Sequence, residues 1–552
     1  MSRSGDLGRW LRTLRHLGPS QAAAQALHAV RGIRRPPAAR GQAPELSRGE
    51  EPANFLPAPR HARWLSQDEL ELIRRRVNFA HGIDWGYGGE GPLWAYHLHQ
   101  CDHLRSPDLE PGRRLALMLD WVRNHREGIG WDPHPTSLRL FSWGKNLLTP
   151  GALGPTADES RELRASLAVQ LDSLDRNLEV RLRANHLLTN LSALVFGGLL
   201  FEGPRADRWL AQADRFAEEL AAQFGADGAH EERSPMYHAL LLENLLDLVN
   251  LARVRPGRIP ARVNEALDVT AGAALGALSV WRHPDGEIAL FGDSAHGIAH
   301  APDTLLAYGR SVGVDARPPS KSGLLDEGGF ARLEGGPFSL LVSIAGPAPA
   351  HQPGHAHCDA LAFELLCGGE RVVCDTGVHD YLPGERRRLA RATLSHATLE
   401  VGGEEQAEIW AAHRVGGRPR VELVDFRGGT RLEATCASWS TPDTLHRRSF
   451  LLSGGALEIR DALEGHSRPG RFALPLAPGL EPLLSVDPDG GGEARIPLAD
   501  GRRLRVVLPA TARWRVERTP YYPEFGHELE RVCLVGEADR VGSAAWRFEC
   551  EG

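Results

Sequence analysis

The spacing of apolar residues changes part-way along the chain, and that change limits the fold more than any other feature. From about residue 65 to 315 the spacing is helical. Leu163, Leu167, Leu171, Leu174 and Leu178 recur at steps of four, four, three and four, which lines one helix face. Leu187 to Phe201 is apolar nearly all round, as in a helix enclosed by neighbours, and Ala239 to Val254 carries a second strong leucine face. No fixed-period repeat runs through these helices, so a stacked or closed array is expected rather than a regular solenoid. After about residue 325 short runs of Val, Leu, Phe and Thr alternate with glycine pairs at 335-336, 368-369, 402-403, 428-429 and 454-455. Leu361, Phe363 and Leu365 alternate before one pair and Val372 to Asp375 follows it, the pattern of a hairpin. Regular turns continue to Phe548, which predicts a large antiparallel β-sandwich. At 552 residues the chain is too long for one core. The reading is therefore a multidomain α + β protein: a basic arm and linker over 1-45, a helical domain over 46-320 and a β domain over 321-552.

Composition narrows the function classes. A net charge of -7 argues against a nucleic-acid partner, which needs a basic face, but leaves room for an acidic sugar polymer bound in a locally basic cleft. The seven cysteines form no CxxC pair, and Cys358, Cys367 and Cys374 sit in strand-like sequence as small apolar residues, so no disulfide framework is expected. No run approaches the ~20 apolar residues of a transmembrane helix. Arg3, Arg9, Arg12 and Arg15 precede an Ala-rich run that lacks a signal-peptide core, and Arg34-Arg35 is followed by prolines. These features predict a cytoplasmic location, with the periplasm as the alternative and membrane-surface attachment of the arm as a lesser one.

Four polar constellations interrupt the regular sequence: Asn185-His186; Glu231 to His238; Gly354 to Asp359; and Cys374 to Gly377 with Leu394 to His396. Each alone has a plain structural explanation. Asn185 and Ser234 suit helix caps, Tyr237 suits core or rim, and His355 and His357 suit hydrogen-bonded loop positions. Their occurrence in order across both halves is harder to explain that way.

The runs Asn185-His186-Leu187-Leu188, Glu232 to His238, Gly354 to His357, and Asp375-Thr376-Gly377 with Arg391-Ala392-Thr393 and His396 resemble signature segments of the heparinase II/III-like polysaccharide lyases. The resemblance spans about residues 130 to 415 and implies an (α/α) toroid followed by an antiparallel β-sandwich. It also implies β-elimination on a uronate-containing acidic polysaccharide; the lack of an export signal, a departure from degradative relatives, points to exopolysaccharide biosynthesis or turnover as the setting. Asn185 and His186 would then donate to the uronate carboxylate as charge builds. Tyr237 and His355 would share proton transfer, with the phenol needing positive charge nearby to act as a base. His357, Asp375 and His396 would hold a metal, usually zinc, that fixes a loop. Residues two apart in a strand share a face, so His355 and His357 would project together, with Cys374 turned away from Asp375. Pro135 to Trp143 looks like a further family segment, offering Arg139 and Trp143 for substrate binding beside Glu232 and Arg391.

Two positions depart from the family pattern: Ala397 and Gly292 stand where many members have Asn. Competing readings are a non-catalytic polysaccharide-binding or assembly protein, and a glycoside hydrolase using Glu232 and Asp293 as its carboxylates.

Overall fold

The computed structural model describes residues 3–34, 36 and 42–552. Most of the Pro/Ala linker, including Arg35, lies outside the described residues. The arm contributes α1 (Arg3–Leu14) and α2 (Pro19–Arg31). The helical half follows as α3 (Pro92–Gln100), α4 (Pro111–Asn124), α5 (Pro133–Leu148), α6 (Ala157–Arg176), α7 (Ala184–Leu200) and α8 (Pro204–Leu210). It continues through α9 (Ala213–Gln223), α10 (Pro235–Arg253), α11 (Ala261–Trp281) and α12 (Pro302–Ser311). Proline stands in the first turn of α3, α4, α5, α8, α10 and α12, where its missing N–H costs nothing.

The all-round apolar segment is α7, which packs against α5, α6, α8, α9 and α10. Every residue of α7 except His186 is buried. Gly197 and Gly198 permit that enclosure, because a Cβ at either would overlap Leu171 or Leu210. One stretch read as helical is not. Ala62–Trp64, Glu69–Leu72 and Arg75–Asn78 form a small antiparallel sheet, with Ile73 and Arg74 in left-handed conformation at its second turn. Short alternation in Glu69-Leu70-Glu71-Leu72 outweighs the helical period on either side.

The β half carries sheets of five, eight and four antiparallel strands. The expected hairpin is present: Phe363–Cys367 pairs with Glu370–Val373 around Gly368-Gly369. Both glycines have positive φ, as does the pair Gly454-Gly455 in the turn closed by Ser453 and Ala456. The inner faces of the three sheets share one hydrophobic core around Phe363, Phe450, Phe472 and Phe548. A smaller apolar cluster joins Trp281 at the end of α11 to Phe291, Phe330 and Leu341, so the two halves also share packed surface. The seven cysteines are free, and Cys374 lies in an apolar cluster with Leu290 and Tyr521.

Close approach of backbone to backbone is tightest where α11 passes the connection into the β half. A Cβ on Gly276 would overlap the Arg317 carbonyl. Gly276→Ala is expected to lower stability by about 1–3 kcal/mol, read from denaturant unfolding, because the 317-318 chain must shift.

Candidate active site

Asp293, in the loop between α11 and α12, is fully buried and receives donors from the β half. His355 Nδ1 lies 2.8 Å from its Oδ2 and His357 Nε2 lies 2.9 Å from its Oδ1. Arg387, in the short helix α13 (Glu385–Arg391), donates to both carboxylate oxygens, one at 2.8 Å. Burial alone would raise the carboxyl pKa, but Arg387 and the two imidazoles hold it well below the usual carboxylate range. The Asp293 amide also donates to the His355 carbonyl at 2.9 Å. Gly292 fits this approach: it is left-handed, and a Cβ there would come within 2.9 Å of the same carbonyl. His355 and His357 do share a side, as expected, but in an irregular loop rather than a strand.

With Nδ1 bound to Asp293, His355 lines a cavity of about 270 Å³. His134, His186, Tyr237, Tyr381 and His413 line the same space. The ring of Tyr237 lies 4.1 Å from that of His355, and its hydroxyl is 2.8 Å from the Tyr381 hydroxyl. Burial raises the Tyr237 phenol above its ordinary value; the Tyr381 hydrogen bond opposes this, and Asp293 and Glu232 add to it. The phenol is therefore a proton holder here, opposite to the lowered value a tyrosine base would need.

His186 is placed by the start of α7, where Arg183 and Ala184 both have positive φ. Two non-glycine residues in that region store strain, on the order of 1–3 kcal/mol each, directly before Asn185 and His186. Its Nδ1 sits 3.1 Å from Glu179. Burial lowers its pKa, yet the Glu179 charge at that distance outweighs burial and raises it above its ordinary value. His134, 4.4 Å away ring to ring, is instead pushed down to about 3 by burial and by His186. The cavity floor holds Lys145 and Arg105, both paired with Glu243, at 2.9 and 3.2 Å.

Other expected site residues lie elsewhere. Asn185 is behind the cavity wall, its amide donating to both Glu232 oxygens at 2.8 and 2.7 Å. It is not a cap, whereas Ser234 is: its Oγ accepts from the Tyr237 amide at 3.3 Å. Glu232 is buried, 3.8 Å from His355 Nε2, and braces Asn185 rather than facing the cavity. Burial raises its pKa, but His355, His230 and Asn185 bring it below the ordinary value. Glu232 and Asp293 are thus both held ionised, which leaves the two-carboxylate hydrolase without an acid.

Arg139, Trp143 and Arg391 are corrections. Arg139 is fully buried, donating to Gln170 and to the His99 and Gly130 carbonyls, with Trp121 4.0 Å below it. Trp143 is buried edge-on against the same Trp121. Arg391 spends its guanidinium on the carbonyls of Ala356, Ala411, Ala412 and Arg414. Sequence reasoning missed Arg387, Tyr381 and His413. Arg387 sits four residues before the arginine that was chosen, one turn earlier on α13.

His357, Asp375 and His396 are buried together, with ligand atoms within 4.8 Å of one another. His396 Nδ1 is 2.7 Å from Asp375, while His357 Nδ1 and His396 Nε2 have no hydrogen-bond partner. Orphaned imidazole nitrogens beside a carboxylate fit a zinc-type ligand set.

Two family profiles cover most of the chain: "Heparinase II/III N-terminus" matches residues 167–301, and "Heparinase II/III-like, C-terminal" matches residues 317–552. The chain belongs to the heparinase II/III-like family. Its fold is shared by a heparinase III structure, with a TM-score of 0.67 and 17% identity, covering 86% of this chain and 80% of that one. A heparan sulfate lyase, HepC of Pedobacter heparinus, has a TM-score of 0.58 and 17% identity, covering 96% and 88%. The FtsZ-localized protein C of Caulobacter vibrioides is 25% identical over 399 residues, 69% of this chain and 66% of the relative. This chain therefore spans just under two thirds of that relative's length.

Within this family member the Glu179–His186 pair has a sign that can be measured. A histidine raised by a partner stabilises the fold below about pH 6.5, and this is lost as pH rises through the folded value. In an NMR pH titration His186 is expected to titrate above 6.5 and His134 near 3. Glu179→Gln should bring His186 down.

Proposed function

We propose that this chain is a polysaccharide lyase acting on a uronate-containing acidic polymer by β-elimination. The observation that carries the reading is the close packing of the Tyr237 ring against that of His355 in one cavity, with the imidazole oriented from behind by a buried, ionised Asp293. In this reading His355 Nε2 takes the proton beside the uronate carboxylate. The electron pair forms the new double bond and expels the glycosidic oxygen, and Tyr237 supplies a proton to that oxygen. The raised phenol favours the acid role. His186, kept protonated by Glu179, is the cation that faces the substrate carboxylate. The helical half, in the same reading, closes as an (α/α) toroid around this cavity.

Zinc belongs to the proposal as a structural ion. His357, Asp375 and His396 would hold it, and Asp293 would orient His357 through Nε2. Bound there, it would tie the loop of His355 to the segment before Thr398; the proton transfers need no activated water. Metal analysis of the purified protein should find about one zinc per chain, and His396→Ala should lose it together with several degrees of Tm.

One observation favours a second reading, a polysaccharide-binding or assembly protein without catalysis. The amide of Asn185 is spent on Glu232, and Lys145 and Arg105 on Glu243, so His186 is left as the charge for the substrate. The two readings separate on a screen of uronate polymers followed by ultraviolet absorbance of the conjugated product. The lyase reading predicts a rise that Tyr237→Phe reduces by about a hundredfold or more, with unchanged Tm. The rate should also fall as pH climbs through the raised His186 value. Saturable binding with no absorbance change on any polymer supports the second reading.

A further inference from the structure

The two N-terminal helices are built inside out. α1 rests on the β half through its polar side: Arg12 donates to both oxygens of Glu408, at 2.8 and 2.5 Å, and Arg9 lies 3.6 Å from the same carboxylate. Thr13 accepts from the Trp410 indole at 3.2 Å. Trp10 also packs on the β half, its ring 4.7 Å from that of Trp410, whereas Leu7, Leu11 and Leu14, spaced i, i+4 and i+7, are 62, 60 and 45% exposed. α2 repeats the inversion. Gln21 is buried and, with Gln25, donates to the Arg181 carbonyl, while Leu27 and Val30 are 48 and 85% exposed. A helix docked on a water-soluble body ordinarily turns its leucines inward. Here docking is done by arginine, glutamine and Trp10, and the leucines are left to meet something else.

Charge narrows what that is. Residues 1–44 hold eight arginines against one aspartate, in a chain whose net charge is -7. Beside α2 is a recess lined by Arg31, Arg34, Arg176 and Arg181. Among the described residues, none of these four is ion-paired with a carboxylate; the ion pairs of α1 are all with Glu408. A second copy of the chain would cover the leucines but bring one arginine cluster against another. An acidic polymer would engage the arginines and leave the leucines in water. A surface that is apolar and anionic at once satisfies both.

We propose that the arm is a docking surface for an anionic lipid bilayer. Leu7, Leu11 and Leu14, with Leu27 and Val30, enter the boundary between headgroups and acyl chains. Arg31, Arg34, Arg176 and Arg181 meet lipid phosphates. The polar undersides of both helices stay on the protein, so the cavity is held at a fixed distance from the membrane.

The test is sedimentation of the full chain with vesicles of phosphatidylcholine alone or of phosphatidylcholine mixed with phosphatidylglycerol. The expected result is binding to the anionic vesicles, weakened by salt. The triple variant Leu7→Gln/Leu11→Gln/Leu14→Gln should bind about tenfold more weakly or worse, as should Arg31→Glu/Arg34→Glu. The substituted side chains are exposed, so Tm should match the parent in both. Absence of binding, equal binding to both vesicle types, or undiminished binding by the triple variant overturns the proposal. So does gel filtration showing a dimer that the triple variant abolishes, since the leucines would then be covered by a second copy.

Discussion

A buried carboxylate holds the two halves of this protein in register. Asp293 leaves the helical half fully enclosed, a placement that costs several kcal/mol unless the charge is matched. Arg387, His355 and His357 match it, and all three come from the β half. The pairing is mutual, because removing the carboxylate would strand the buried guanidinium of Arg387. The position of His355, the free nitrogen of His357 and the left-handed turn at Gly292 all follow from where this carboxylate sits. A change at position 293 is therefore felt at once in the fold, the cavity and the cluster behind it.

Around that hub the protein separates ionisation states within a small volume. Glu179 keeps His186 charged, and burial keeps neighbouring His134 neutral. Asp293 and Glu232 stay ionised under the weight of their donors, while the Tyr237 phenol stays protonated under the weight of burial and nearby negative charge. Environments that push titratable groups apart are how one site supplies an acid, a base and a fixed cation near neutral pH. The backbone contributes as well: left-handed residues stand immediately before Asn185 and before Ser234, at Ala184 and Arg233.

Much of this was legible in the sequence, and the limits have physical causes. The period change and the glycine pairs marked the two halves because both are local signals. His186, Tyr237 and His355 each lie in a distinctive run, and all three line one cavity. Arg139, Trp143 and Arg391 lie in runs just as distinctive, yet they are buried supports. A guanidinium that satisfies backbone carbonyls and one that meets a substrate look alike in sequence, since the difference lies in partners far along the chain. Arg387 and Tyr381 went unread for the same reason: their partners, Asp293 and Tyr237, come from the other half. Asn185 was assigned to the substrate because sequence cannot show that its amide nitrogen donates to the Glu232 carboxylate. The sheet at 62–78 was missed because its strands are three or four residues long.

The central claim is that Tyr237 and His355 move protons across a uronate rather than merely grip it. Mass spectrometry of the fragments released from a uronate polymer tests this most directly. The account predicts that every fragment with a newly formed non-reducing end is one water lighter than hydrolysis would leave and carries a double bond at that end. New non-reducing ends of full hydrated mass, or a polymer recovered intact across the uronate series, would contradict it.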